Sequence, residues 1–414
     1  MQAPVTCDQL PEQTLTVEQA QVRILAAVKP MQAQERLNLH RAAGRILARD
    51  VLAGFDVPPH RNSSMDGYAF AHCSLQTGQS LQRVGSSFAG KPFAGSVALG
   101  ECIRIMTGAV LPEGTDTVVM QENVSLDGET VKLHLAPACG ENVRYPGEDI
   151  RQGDQVLQAG RKLNAADLGL LASLGVGEVD VLRRPRVAFL STGDELKPMG
   201  SPLQAGDIHD SNRYILHALL QALDVETLDL GIIPDQAAAV EEAFRAAREV
   251  ADVLITTGGA SVGDADYIAS TLAKLGQVDF WKMAMKPGKP FAHGHLGACQ
   301  FFGLPGNPVS VMATFLLFVR PAILKGRGET TTLPPEYPAT TTTPLQKAAG
   351  RKEYQRGVCS QTADGQWQVR STGKQESHLL RSMSQANCFI VLERDSGNLP
   401  AGSTVRIMPF AGLL

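Results

Sequence analysis

Aromatic residues make up only 5% of this 414-residue sequence, which argues against a stacking platform for nucleic-acid bases. Charge of one sign is also missing. Lys and Arg number 38 against 42 Asp and Glu, a net charge of −4, so there is no global pull toward nucleic acid or an anionic membrane and any anion site must be local. Cysteine is sparse and scattered. Cys7, Cys73, Cys102, Cys139, Cys299, Cys359 and Cys388 are odd in number and include no C-x-x-C pair, which argues against a disulfide framework or zinc knuckle and fits a reducing cytosol. Residues 1–10 lack a basic region followed by an apolar run, so no signal peptide is expected. The longest apolar stretch, 309–319, ends at Arg320-Pro321; it is too short to span a bilayer and reads as a buried helix.

What is present is an ordinary globular composition, 43% hydrophobic and 19% charged, in a chain long enough for two to four domains. Thr16-Val17-Glu18-Gln19 is a capping-box pattern opening a helix that ends near Lys29-Pro30. A second helix is expected over 39–48, and Asn164 caps a third over 165–174, closed by Gly175. These helices suggest one discontinuous N-terminal helical and linker domain, 7–54 plus 145–184, around a β-rich insert, 55–144. In the insert, Leu126-Asp127-Gly128 marks a hairpin. Over 185–328, strands and helices alternate, which predicts a parallel, doubly wound sheet with ligands beyond the carboxyl ends of its strands. Residues 327–344, rich in Thr and Pro, read as a linker or an entering strand. A small β domain follows over 329–414, with a hairpin at Ala363-Asp364-Gly365.

The chemistry-bearing residues gather at strand ends. Val253-Leu254-Ile255 leads into Thr256-Thr257-Gly258-Gly259-Ala260-Ser261-Val262-Gly263-Asp264-Ala265-Asp266. A strand, a glycine-rich turn and a helix start make an anion cradle, and the aspartates beside it point to a divalent cation. The loop is neither a P-loop nor the dinucleotide fingerprint, and alone it is equally a plain strand-to-helix turn. Ser191-Thr192-Gly193-Asp194-Glu195 and Ile232-Ile233-Pro234-Asp235 also end strands in acids. The turn Trp281-Lys282-Met283-Ala284-Met285-Lys286-Pro287-Gly288-Lys289-Pro290 is stiff and cationic, suited to a multiply charged oxyanion. Gly303-Leu304-Pro305-Gly306-Asn307-Pro308 forms a rigid turn before the buried helix. Asp66 and Thr107 sit in what local sequence presents as turns. His293 and His295 share one strand face without a third ligand nearby, which reads as a solvated face.

In order, Ser64-Met65-Asp66-Gly67-Tyr68-Ala69, Arg104-Ile105-Met106-Thr107-Gly108, Gly147-Glu148-Asp149-Ile150, Ser191-Thr192-Gly193-Asp194-Glu195-Leu196, Asp210-Ser211-Asn212-Arg213, the Gly258-Gly259 loop, Lys286-Pro287-Gly288-Lys289-Pro290 and Leu304-Pro305-Gly306-Asn307-Pro308-Val309-Ser310 resemble the molybdopterin molybdenumtransferase family, which includes the gephyrin E-domain group. The resemblance runs nearly end to end. It implies a four-domain chain: a molybdopterin-binding α/β domain, a β-rich insert, a helical N-terminal part and a small barrel-like C-terminal β domain. It also implies a cytoplasmic homodimer with an inter-subunit site, no nucleic acid or membrane partner, and an upstream molybdopterin adenylyltransferase. The implied reaction takes adenylylated molybdopterin and molybdate, supported by Mg²⁺, and releases AMP. Carried onto this sequence, Glu195 and Asp266 would hold the metal, with Asp235 in the same acidic cluster. Gly258, Gly259, Ser261, Lys286, Lys289, Pro305, Pro308, Arg356 and Ser377 would line the substrate and molybdate site, with Lys282 nearby. Asp66, Thr107, Arg144 and Asp149 would come from the partner protomer. The chain starts with the capped helix, so no fused neighbour domain is expected. A non-catalytic pterin scaffold and another nucleotide or phosphosugar hydrolase are the alternative readings.

Overall fold

Three short apolar strands, Arg186–Thr192, Val253–Thr257 and Cys299–Leu304, are buried because helices cover both of their faces. Along Arg186–Thr192, Val187 and Phe189 enter one core, while Ala188 and Leu190 enter the other. Helices Asn212–Gln221 and Pro308–Thr314 pack into the first core. Ala237–Val250 and Ala265–Leu275 pack into the second. With the edge strand Glu226–Ile233 these strands run parallel, so the doubly wound expectation holds here. The sheet is mixed beyond them. Pro290–Leu296 turns back at Gly297, whose φ is +65°, and runs antiparallel both to Cys299–Leu304 and to Gln277–Met283. The computed structural model describes residues 14–77, 79–258, 265–330 and 332–413.

The capping box at Thr16 forms in full and opens the helix Val17–Ala27. Val17, Ala20 and Ile24 bury into the same core as Phe189. Residues 14–35 therefore belong with 182–413 in one compact unit, and 36–181 form another. This divides the expected segment 7–54 after residue 35, because apolar burial joins the first helix to the α/β sheet. The buried helix also runs on past its expected stop. A π-helical turn, Phe315–Val319, leads into Arg320–Gly326, and the helix continues through Pro321. The run Pro308–Gly326 is apolar and long enough to cross a membrane, but most of it is buried in the core.

In the C-terminal part, Lys352–Gln361 pairs with both Trp367–Ser371 and Cys388–Leu392. With Tyr337–Thr341 and Thr404–Pro409 this closes a small barrel. Val369, Ile390 and Ile407 fill its interior. Tyr354, Phe389 and Met408 instead join the α/β core. Met285–Lys286 adds to the barrel as a parallel strand beside Lys352–Gln361.

His293 corrects the sequence reading. It is buried against Trp281 and Phe302, and Gln300 Nε2 donates to its Nε2 at 3.2 Å. Burial, then the neighbouring His295, pushes its pKa down to about 4. The folded imidazole resists a proton that the unfolded one binds near pH ~6.5. Its contribution is thus intact above that pH and is lost as pH falls toward about 4, at most about 3 kcal/mol. His293→Gln should flatten this acid dependence, read from urea midpoints above and inside that window.

In the unit 36–181, six strands form a sheet in the order Thr117–Met120, Gly67–Phe70, Glu101–Ile105, Ser80–Ser87, Thr130–Leu133, Val124–Asp127. A Cβ on Gly67 would lie 1.9 Å from the Val119 carbonyl oxygen, so the close strand approach after Asp66 requires glycine. Asn164 accepts from the Ala166 and Asp167 N–H groups and caps Ala165–Ser173 as expected. The helix expected over 39–48 does not form. A single 3₁₀ turn, Leu39–Arg41, gives way to Gly44 at φ +75°, after which Leu47 and Ala48 donate to Arg161 and Asp180 carbonyls. Long-range pairing there outcompetes the local helix.

Candidate active site

The carboxyl ends of the three inner parallel strands lie side by side, with Ser191 in register with Thr257 and Thr257 with Leu304. The Ser191 and Thr257 hydroxyls are 2.9 Å apart. Gly193 and Gly258 leave these strands at φ +143° and +88°. A Cβ on Gly258 would lie 2.5 Å from the Thr192 carbonyl oxygen, and one on Gly193 would lie 2.5 Å from Glu195 Oε2. The turns are therefore closed to larger residues, and the Glu195 carboxylate folds back over its own glycine. They open onto a cavity of about 890 Å³.

Seven of the expected residues line that cavity: Glu195, Gly258, Lys286, Lys289, Pro305, Pro308 and Ser377. Gly259 and Ser261 lie outside the described residues. Asp266 falls in the first turn of Ala265–Leu275, and its side chain is likewise outside the description. Asp235 and Lys282 are not on the wall. The Asp235 N–H donates to Asp194 Oδ1 at 3.2 Å. Lys282 sits between the buried Trp281 and Met283, and strand alternation turns it to the opposite face.

Arg356 is also off the wall, and for a definite reason. It is fully buried, and its guanidinium donates to Ser382 Oγ and to the carbonyls of Lys374, Gln375 and Glu376 at 2.9–3.2 Å. It clamps the segment just before Ser377 and His378, which do line the cavity.

The wall includes residues that the motif reading did not assign: Asp210, Asn212, Ser310 and Arg351. Asp210 is 2% exposed; its Oδ1 accepts from the Arg213 N–H at 3.2 Å, and its Oδ2 has no partner among the described residues. Asn212 Nδ2 donates to the Gly306 carbonyl at 2.7 Å, which fixes the amide and leaves a buried Oδ1 unpaired among the described residues. The signal for this pair was the Asp210-Ser211-Asn212-Arg213 motif itself, which names both residues but does not show their burial.

In the unit 36–181, Asp66 Oδ1 accepts from both the backbone N–H and the hydroxyl of Thr107, each at 2.8 Å. The Thr107 backbone bond, then its hydroxyl, holds the Asp66 carboxyl below the usual range. Arg144 pairs with Asn62 in a short ladder beside this turn, and the Asp149 N–H donates to the Val57 carbonyl at 3.0 Å. Asp66 and Thr107 are thus joined directly. Arg144 and Asp149 are exposed, on the segment that follows.

Glycine turns at the carboxyl ends of a parallel sheet, an acid on one turn and lysines on the next define an α/β domain built to hold an anionic ligand. Residues 188–325 match the family model described as a probable molybdopterin binding domain. Residues 15–175 match the MoeA N-terminal region (domain I and II), and 338–410 match the MoeA C-terminal region (domain IV). A molybdopterin molybdenumtransferase of Haemophilus influenzae is 47% identical over 402 residues, spanning 97% of this chain and 100% of that one. One from a Nostoc species is 36% identical over 91% of this chain and 89% of its own. The solved structure of a molybdopterin biosynthesis moeA protein from Pyrococcus horikoshii superposes with a TM-score of 0.81 at 27% identity, covering 96% of this chain and 100% of that one. The chain belongs to the molybdopterin molybdenumtransferase family.

Proposed function

We propose that this enzyme inserts molybdenum from molybdate into adenylylated molybdopterin, releases AMP and uses Mg²⁺. The observation that carries this reading is the polarity of one cavity. Among the described residues, the Asp210 and Asn212 oxygens without a partner belong, with Glu195, to the same wall as Lys286 and Lys289, which form no ion pair. An acidic part suits a cation with its phosphates, and a cationic part suits a tetrahedral dianion.

These donors fit magnesium. Among the described residues no three His, Cys, Asp or Glu side chains cluster as a ligand set. Mg²⁺ commonly uses only one or two carboxylates, completing its shell with substrate phosphates and water. Glu195 would hold it, with Asp266 as the second carboxylate. When bound, the ion supplies neutralisation of charge at the diphosphate. The chain's own groups do the rest. The Gly258 turn lets backbone approach the phosphates, and Lys286 and Lys289 hold molybdate as point charges beside them. An oxygen of molybdate, or of water next to it, bonds to the adenylyl phosphorus. The phosphoanhydride bond breaks, the pterin phosphate takes the released electron pair, and AMP departs. The two dithiolene sulfurs bond to molybdenum in place of two molybdate oxygens. When molybdate is the nucleophile, one oxygen leaves on AMP as its bond to molybdenum breaks, and the other leaves as water with the two thiol protons. When water is the nucleophile, both leave as water, taking up its two protons as well. The same reading includes a homodimer, a cytoplasmic setting, an upstream adenylyltransferase, and Asp66, Thr107, Arg144 and Asp149 as a second group of substrate-facing residues.

AMP release from adenylylated molybdopterin should depend on added molybdate. Chromatographic quantitation of AMP with and without the anion checks this. Equal release without molybdate indicates an ordinary hydrolase; binding with no release indicates a scaffold.

A further inference from the structure

We infer that a second cavity, on the antiparallel side of the α/β sheet and apart from the active site, binds a neutral planar heterocycle through a guanine-like edge, two N–H donors beside a carbonyl oxygen. Strand register places this cavity. Gln277 lies opposite His295, His295 opposite Gln300, and Gln300 opposite Val253, which starts the strand whose other end, Thr257, carries the active-site turn. Val278 and Phe280 pack into the core beneath Ala237–Val250 and Ala265–Leu275, so Gln277, Asp279 and Trp281 share the opposite face. Asp279 is in register with His293. These side chains and Arg23 of the first helix wall a cavity of about 630 Å³, within the range of small-molecule sites.

Trp281 and His293 are 6% and 5% exposed, and side chains buried to that degree ordinarily have their polar atoms paired. Gln300 occupies one ring nitrogen of His293. Among the described residues, the other His293 nitrogen, the Trp281 N–H, both nitrogens of His295 and the Asp279 carboxylate have no hydrogen-bond partner. None of these atoms is sealed in protein, so they open to the cavity that their residues line. The wall also supplies flat faces: the His293 ring lies 5.5 Å from Trp281 and 6.0 Å from His295. Burial holds both imidazoles below their ordinary pKa, so they are neutral at neutral pH. Asp279 and Arg23 are then the charged groups of the wall, one of each sign, which suits a ligand without net charge. The Asp279 carboxylate accepts two N–H bonds at once, and the Trp281 N–H, about 7 Å further along the same strand face, donates to a carbonyl. A guanine-like edge carries donors and acceptor in that order, and its ring stacks on the aromatic faces.

Equilibrium dialysis of the full chain with guanosine, with pterin and with adenosine tests this. Guanosine and pterin share the edge; adenosine puts a ring lone pair where the carboxylate needs an N–H. At least one of the first two should bind, and adenosine about tenfold more weakly or worse. Asp279→Asn replaces an acceptor by a donor and should weaken the bound compound about tenfold. Asp279 is exposed, so thermal unfolding of this variant should match the unmodified protein, and its molybdate-dependent AMP release should be unchanged. Trp281→Phe keeps a ring, removes the N–H and should weaken the same compound. Whichever of guanosine and pterin responds to Asp279→Asn identifies the source, nucleoside or free pterin. Glu195→Ala and Lys286→Ala should bind that compound as the unmodified chain does. No binding of guanosine or pterin to the unmodified chain, or full binding of both in Asp279→Asn, overturns the second site and leaves the functional reading standing. Loss in Lys286→Ala with none in Asp279→Asn assigns the compound to the active-site cavity and likewise overturns it.

Discussion

Replacing Glu195 by alanine should reduce molybdate-dependent AMP release by about a hundredfold or more, the usual scale for removing one preorganised electrostatic group from a reacting centre. Glu195 is exposed on the cavity wall and folded over Gly193, so it contributes little packing. Thermal unfolding should therefore stay within experimental error of the parent. Glu195→Gln keeps the shape and removes only the charge; it should lose nearly as much activity if the carboxylate serves a cation. Raising Mg²⁺ should restore part of the rate in the glutamine variant if weakened cation binding limits it. Full turnover in either variant would remove Glu195 from the metal site.

Arg356→Ala should destabilise the barrel by about 3 kcal/mol or more, because a fully buried cation with several partners is lost at once. The carbonyls of Lys374, Gln375 and Glu376 would lose charged donors, and Ser382 would lose its partner. Arg356→Lys keeps a charge but not a planar fork, so it should recover only a fraction. The chain has two compact units, and a single unfolding midpoint would mix them. Amide exchange over residues 374–378 is the sharper measurement. Its protection should fall in Arg356→Ala while that of Val253–Thr257 is kept. Unchanged exchange at 374–378 would show that the clamp is dispensable. Because Ser377 and His378 follow the clamped segment onto the cavity wall, the same variant should also weaken anion binding indirectly.

Elements with local causes were legible in the sequence. Thr16 and Asn164 cap the helices that their patterns announced, since capping joins residues only two or three positions apart. The alternation of strands and helices across the α/β region announced a sheet wound on both faces, because burial on both sides demands short apolar runs. The ordered motifs disclosed the family, and they located Glu195, Lys286, Lys289 and the Gly258 turn, all of which meet in one cavity.

Other features depended on partners remote in the chain. Gly44 through Ala48 gave up a helix for bonds to residues more than a hundred positions away. His293 lost its solvent to Trp281 and Phe302. Arg356 looked like a ligand for an anion until its guanidinium was seen among carbonyls. Asp210 and Asn212 stood in a motif with no role assigned to either, and only burial leaves one oxygen on each without a donor among the described residues. The sequence by itself determined the capped helices, the alternation of strand and helix in the α/β region and which family the chain resembles, because local hydrogen bonding and residue order are written along the chain. Only the tertiary structure decided which charges are neutralised and which face the cavity, because solvation and pairing depend on neighbours that the chain order does not name.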